Sequence, residues 1–121
     1  MRKIIVAFIL LFVGYVGYQI FKPAPPIIPD SEADLILFWG NGCLHCEVVK
    51  NFITDNKSDS KFKISQKEVY YNKANQKQLE DTVKLCPEID STKGISVPLA
   101  FDVKNKLCLL GDTPIIQWLK K

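Results

Sequence analysis

The sequence predicts a small α/β domain carried behind an N-terminal apolar helix. Three observations carry this reading. Residues 4–21 hold no charged side chain, strand-length apolar runs then alternate with segments apolar at helical spacing, and a C-x-x-C pair stands where the first such run gives way to the first such helix. A chain of 121 residues has room for one domain of modest core once that apolar start is set aside.

The run at residues 4–21, IIVAFILLFVGYVGYQIF, has one amide, Gln19, and no charge. As a helix it is just long enough for a hydrocarbon core of ~30 Å. Tyr15, Tyr18 and Phe21 fall toward its far end, where aromatic rings favour the interface. Arg2, Lys3 and the amino terminus flank the near end, against Lys22 alone before Asp30. The charge bias predicts a single-pass anchor at residues 1–21, with a cytoplasmic N-terminus and a periplasmic or otherwise extracytoplasmic remainder. A cleaved signal peptide is the rival. Cleavage wants small residues at −3 and −1, whereas Gly14 and Gly17 are paired with Phe12 and Tyr15. The net charge of +3 includes the flanking cations, so it gives no ground for a nucleic-acid partner.

Residues 22–33, KPAPPIIPDSEA, hold four of the seven prolines and read as an extended linker spanning ~30–35 Å. Residues 34–121 then form the domain. Exported units of this size commonly lean on a disulfide or a metal, and four cysteines allow two disulfides.

Within the domain, Asp34–Phe38 is a continuous apolar run suited to a strand buried on both faces. Leu44, Val48, Val49, Phe52 and Ile53 recur at helical spacing through about Asn56. In KFKIS, Phe62 and Ile64 alternate with lysines, predicting a strand from Lys61 toward Val69. Lys73–Cys86 predicts a helix with Leu79, Val83 and Cys86 on one stripe, stopped by Pro87. VPLAFDV and KLCLLG read as a hairpin turning at Lys104–Asn105. Asp112 or Thr113 would N-cap a last helix with Pro114 in its first turn. The order is β-α-β-α-β-β-α. Its first β-α-β makes a parallel pair, and the hairpin extends the same sheet antiparallel.

The C-x-x-C pair is Cys43 and Cys46, with Leu44 and His45 between them. Cys43 at a helix N-terminus meets free N–H groups and the positive end of the dipole, which stabilise a thiolate. Cys46, one turn in, is more shielded and suited to resolve a mixed disulfide. His45, if protonated, would lower the Cys43 pKa further, although it also reads as an ordinary exposed helix residue. A metal clamp of Cys43, His45 and Cys46 is the competing chemistry, but the chain has a single histidine and no second C-x-x-C. Haem attachment would need a histidine after Cys46, where Glu47 stands.

With FWGNGCLHC at the end of the first strand and GISVP before the hairpin, residues 34–121 resemble the thioredoxin/glutaredoxin superfamily. The resemblance implies a thioredoxin-like fold, a four-stranded mixed sheet flanked by helices, and thiol–disulfide oxidoreductase activity on protein thiols and disulfides with a redox partner protein. It implies Cys43 as the attacking thiol and Cys46 as the resolving one. It further implies a cis Val97–Pro98 peptide beside them, Val97 backbone pairing with a partner chain, and Trp39 walling the site. No bound cofactor or metal is implied. Departures from the family pattern bear on the direction of electron flow. Leu37 stands where thioredoxins carry a buried acid. His45 is similar to the histidine of the family's periplasmic oxidants, and Leu44 breaks that match. Of the glutaredoxin stretch that contributes to a glutathione site, only Gly111–Asp112 is present.

Cys86 and Cys108 read either as small core residues or as a structural disulfide, with an electron relay to the C-x-x-C as a third reading. Two alternatives to the enzyme stand beside it: a copper- or zinc-handling protein using Cys43 and Cys46, and a non-catalytic partner-binding module.

Overall fold

The computed structural model describes residues 1–21 and 28–121. Helix α1 (Arg2–Ile20) has no buried residue and is long and apolar enough to cross a membrane. Its one amide is satisfied on the helix surface, Gln19 Nε2 donating to the Tyr15 hydroxyl at 2.8 Å. The Pro-rich stretch expected as linker lies, for residues 22–27, outside the described residues.

From Ile28 onward the chain is bound to the domain. Ile28 packs on the core, Ala33 is buried, and a single 3-10 turn spans Asp30–Glu32. The Asp30 carboxylate accepts from the Ser65 hydroxyl (2.8 Å), Gln78 Nε2 and Lys67 Nζ (3.1 Å). Three partners from two different elements pin this entry segment ahead of Asp34.

The domain follows with β1 (Leu35–Trp39), α2 (Leu44–Asp55), α3 (Ser58–Lys61), β2 (Ile64–Glu68), α4 (Lys73–Val83), β3 (Leu99–Asp102), β4 (Leu107–Leu110) and α5 (Asp112–Leu119). The sheet order is β2-β1-β3-β4. β1 runs parallel to β2, with Leu35 opposite Ile64 and Trp39 opposite Glu68. β3 lies antiparallel to β1, Phe38 facing Leu99, and β4 antiparallel to β3.

Burial of β1 on both faces explains its unbroken apolar run. Leu35 and Leu37 meet Val49 and Ile53 of α2 and Ile115, Trp118 and Leu119 of α5. Ile36 and Phe38 meet Leu79 and Val83 of α4, with Cys86 and Cys108 in the same cluster. Each side chain so removed from water contributes ~1.5–3 kcal/mol. The result is three layers, with α2 and α5 on one face of the sheet and α4 on the other.

Three expectations need correction. A helical turn, α3, occupies Ser58–Lys61, where a strand was expected to begin at Lys61. Left-handed Lys57 redirects the chain, and Phe62 closes that turn by donating its N–H to the Ser58 carbonyl (2.9 Å). Its ring then packs on Trp118, with centroids 4.8 Å apart, so β2 starts only at Ile64. Helix α4 ends at Val83 rather than Cys86. The N–H groups of Leu85 and Cys86 bond three residues back, to Thr82 and Val83, in a tighter turn before Pro87. Helix α5 is capped by Gly111, at φ +93°, and Asp112 is its first residue.

Candidate functional site

Strand β1 ends at Trp39 in the interior of the sheet, and four residues from Gly40 to Cys43 turn the chain into α2. Gly42 takes φ +81°, a conformation that costs an L side chain ~1–2 kcal/mol, and the Cys43 N–H closes the turn on the Gly40 carbonyl at 3.2 Å. Cys43 is the N-cap of α2. Its Sγ accepts the Cys46 N–H at 3.2 Å, filling one of the orphan donors of that helix start.

Cys43 and Cys46 are joined in a disulfide with Cα atoms 5.2 Å apart. Cys43 is half-buried, whereas Cys46 has no exposed surface. An attacking sulfur therefore reaches Cys43 and not Cys46. Once reduced, a Cys43 thiolate would keep the Cys46 N–H and the dipole of α2 as stabilising partners.

The loop before β3 closes the other side. The Val97–Pro98 peptide is cis, Pro98 is buried, and its carbonyl accepts the Gly111 N–H at 3.0 Å. The Val97 carbonyl lies 3.7 Å from Cys43 Sγ. With the disulfide formed that sulfur carries no hydrogen, so this is a contact, and only a reduced thiol could donate across it. The Val97 N–H has no hydrogen-bond partner among the described residues. Trp39 is half-buried under the ammonium of Lys50, which sits 3.7 Å from its ring centroid.

His45 is directed to α5. Its Nδ1 lies 2.9 Å from Asp112 Oδ2. That hydrogen bond is the main reason the Asp112 carboxyl sits below its ordinary pKa, with the Thr113 N–H (2.7 Å) helping. Both oxygens of Asp112, the one acidic residue matching the glutaredoxin stretch, are thus occupied from within the chain.

Two further groups shape the site without having been singled out in the sequence. Glu68, across the sheet from Trp39, accepts the N–H groups of Tyr70 (2.7 Å), Tyr71 (3.0 Å) and, more weakly, Asn41 (3.4 Å). Desolvation alone would raise its pKa, and the backbone donors outweigh that and lower it. The Tyr70 ring occupies the space that a Cβ at Gly40 would need. The Asn41 bond and the approach of Tyr70 to Gly40 give no sequence signal, because those contacts exist only once β2 lies beside β1.

Leu44, between the two cysteines, is 82% exposed, and Tyr71 and Tyr70, after β2, are 80% and 51% exposed. A groove of about 540 Å³ begins at Tyr70 and Val97 and continues along Leu79, Glu80, Lys84 and Ile95.

Cys86 and Cys108 form a second disulfide, Cα atoms 6.0 Å apart, both buried on the α4 face of the sheet. Glu88 lies close enough to complete a potential metal-binding trio with them, but both sulfurs are engaged in the bond. No family model, curated protein or solved structure matches the chain.

Proposed function

We propose that this protein is a membrane-anchored thiol–disulfide oxidoreductase of thioredoxin-like fold, acting on protein thiols and disulfides outside the cytoplasm. The observation that carries the reading is the Cys43–Cys46 disulfide capping α2, one sulfur accessible and the other buried. In this reading residues 1–21 anchor the chain, the Pro-rich stretch before Ile28 spaces it from the bilayer, and the domain that begins there does the chemistry.

A partner thiolate attacks Cys43 Sγ, the Cys43–Cys46 bond breaks, and Cys46 leaves as a thiolate. A second partner thiolate then attacks the partner's own sulfur in the mixed disulfide and releases Cys43. The partner loses two electrons and the domain gains them; the reverse sequence reduces a partner disulfide. The Val97 N–H, without a partner among the described residues, and the Val97 carbonyl offer one edge for an extended partner chain, with Trp39 and Leu44 flanking the sulfur.

The test is a trapping experiment. Cys46→Ser, left with Cys43 as a lone thiol, should attack protein disulfides and accumulate as mixed disulfides, whereas Cys43→Ser should form none and lose exchange with a reduced, unfolded substrate. A Cys43→Ser protein exchanging at the wild-type rate would overturn the reading. The direction of flow follows from the reduction potential: about −120 mV marks an oxidant and about −270 mV a reductant.

A further inference from the structure

His45 is the chain's single histidine. Its ring is tied, across 67 positions of sequence, to the first residue of another helix. Asp112 is itself oriented from its own side. Oδ1 accepts the Thr113 N–H at 2.7 Å and faces the Thr113 hydroxyl at 3.3 Å, which leaves Oδ2 to meet His45 Nδ1 at 2.9 Å. An ionised carboxylate has no proton to give, so the hydrogen of this bond sits on Nδ1.

The two helix starts explain the division of labour. An aspartate in the first turn of α5 is favoured by that helix's dipole, and His45 stands in the first turn of α2. The Asp112 carboxylate reaches from one helix start to the other. The one acidic side chain in the first turn of α2 itself, Glu47, is directed to Lys50 at 4.0 Å. With Nδ1 engaged, Nε2 has no partner among the described residues, and the ring is 75% exposed between the two cysteines of the chain.

We propose that Asp112 is the positioning residue of the exchange site, holding His45 in its Nδ1–H form so that Nε2 is left to accept the proton of a partner thiol attacking Cys43. This inference rests on the oxidoreductase reading. In the step, the partner's S–H proton passes to Nε2 and its sulfur bonds to Cys43 Sγ. The Cys43–Cys46 bond breaks and its electron pair leaves with Cys46 as the thiolate. Orientation by a fixed carboxylate matters because an imidazole whose Nε2 carries the hydrogen cannot take a proton there.

The single histidine makes the test direct. The full-length chain, labelled with ¹⁵N-histidine and solubilised in detergent, should show the Nδ1–H tautomer at a pH where the ring is neutral. Asp112→Ala should return it to the Nε2–H form that free imidazoles prefer. Exchange with a dithiol peptide should slow about tenfold in Asp112→Ala, below the usual 10²–10⁴ for a whole general base. Asp112→Asn, which keeps an acceptor and the Thr113 bond, should restore part of that loss. In a His45→Gln background, Asp112→Ala should change the rate less than about twofold, since the residue it positions is gone. An Nε2–H tautomer in the wild type, an Asp112→Ala rate equal to wild type, or equal slowing with and without His45 would each overturn the inference while exchange itself stood. A wild-type chain inert toward dithiols would overturn the oxidoreductase reading and this inference with it.

Discussion

The carbonyl oxygen of Val97 stands 3.7 Å from the Sγ of Cys43, joining two segments 54 positions apart into one small surface. Leu44, 82% exposed, lies on that surface and supports nothing beneath it. If it serves partner contact, Leu44→Gln should lower exchange with a protein dithiol about three- to tenfold and leave exchange with dithiothreitol unchanged. Stability should move by no more than ~0.5 kcal/mol, as for other surface substitutions. Parallel rate measurements with the two reductants, plus a denaturation curve, check this.

Gly40 is the point where the Tyr70 ring crosses the chain just ahead of the cysteine loop. Gly40→Ala should displace that ring and cost ~1–2 kcal/mol, the usual scale of overpacking. The ring is half exposed and free to swing, which keeps the cost from being larger. Adding Tyr70→Ala should then cost less than it does in the wild type. Urea midpoints of the four proteins give the coupling.

Asp102 is a buried carboxylate below the hairpin turn. Trp118 Nε1 (2.7 Å) and Asn105 Nδ2 (2.7 Å) donate to Oδ2, and the Asn105 N–H (3.0 Å) donates to Oδ1. Burial would raise its pKa, but the Asn105 and Trp118 donors outweigh burial and lower it. A lowered carboxyl contributes stability above its unfolded pKa of about 3.9, and that contribution is lost as pH falls through the folded value. Asp102→Asn turns one acceptor into a donor facing donors, so at pH 7 it should cost ~1.5–3 kcal/mol. The gap to wild type should narrow below about pH 4. Trp118 fluorescence during urea unfolding at several pH values reads both effects.

The Cys86–Cys108 bond closes a loop 22 residues apart in sequence and is buried, whereas Cys43 is accessible. Its removal by Cys86→Ala and Cys108→Ala together should cost ~3 kcal/mol by the chain-entropy argument, with exchange at Cys43 retained. In a dithiothreitol titration Cys43–Cys46 should open first. Alkylation followed by mass spectrometry assigns the order.

For the membrane orientation, a C-terminal alkaline phosphatase fusion should be active in a bacterial host, since the enzyme needs an oxidising compartment to form its disulfides. An inactive fusion of full length and normal abundance would reverse the predicted topology.

Much of the domain is legible from its residues because burial writes itself into periodicity. The apolar run of β1 reports two covered faces, the stripes of α2 and α4 report one each, and Gly42 before Cys43 marks the turn into α2. The ends of α4 and α5 shift by local turns, whereas two other differences arise where a long-range contact overrides local preference. Phe62 leaves the strand pattern for Trp118, and Asp30 belongs to the domain because Ser65, Lys67 and Gln78 hold it.

The site divides along the same line. A strand, a tight turn and a helix in succession are enough to place two cysteines on the first turn of α2, because local backbone geometry decides where that turn begins. Which sulfur is open to attack depends on what covers it, and Cys46 is covered only after α2 has docked on the sheet. His45 illustrates the limit most sharply. Its neighbours in sequence are the cysteines, yet its hydrogen bond goes to Asp112, because packing α5 beside α2 brings two helix starts together and the dipole of α5 favours a carboxylate at its own.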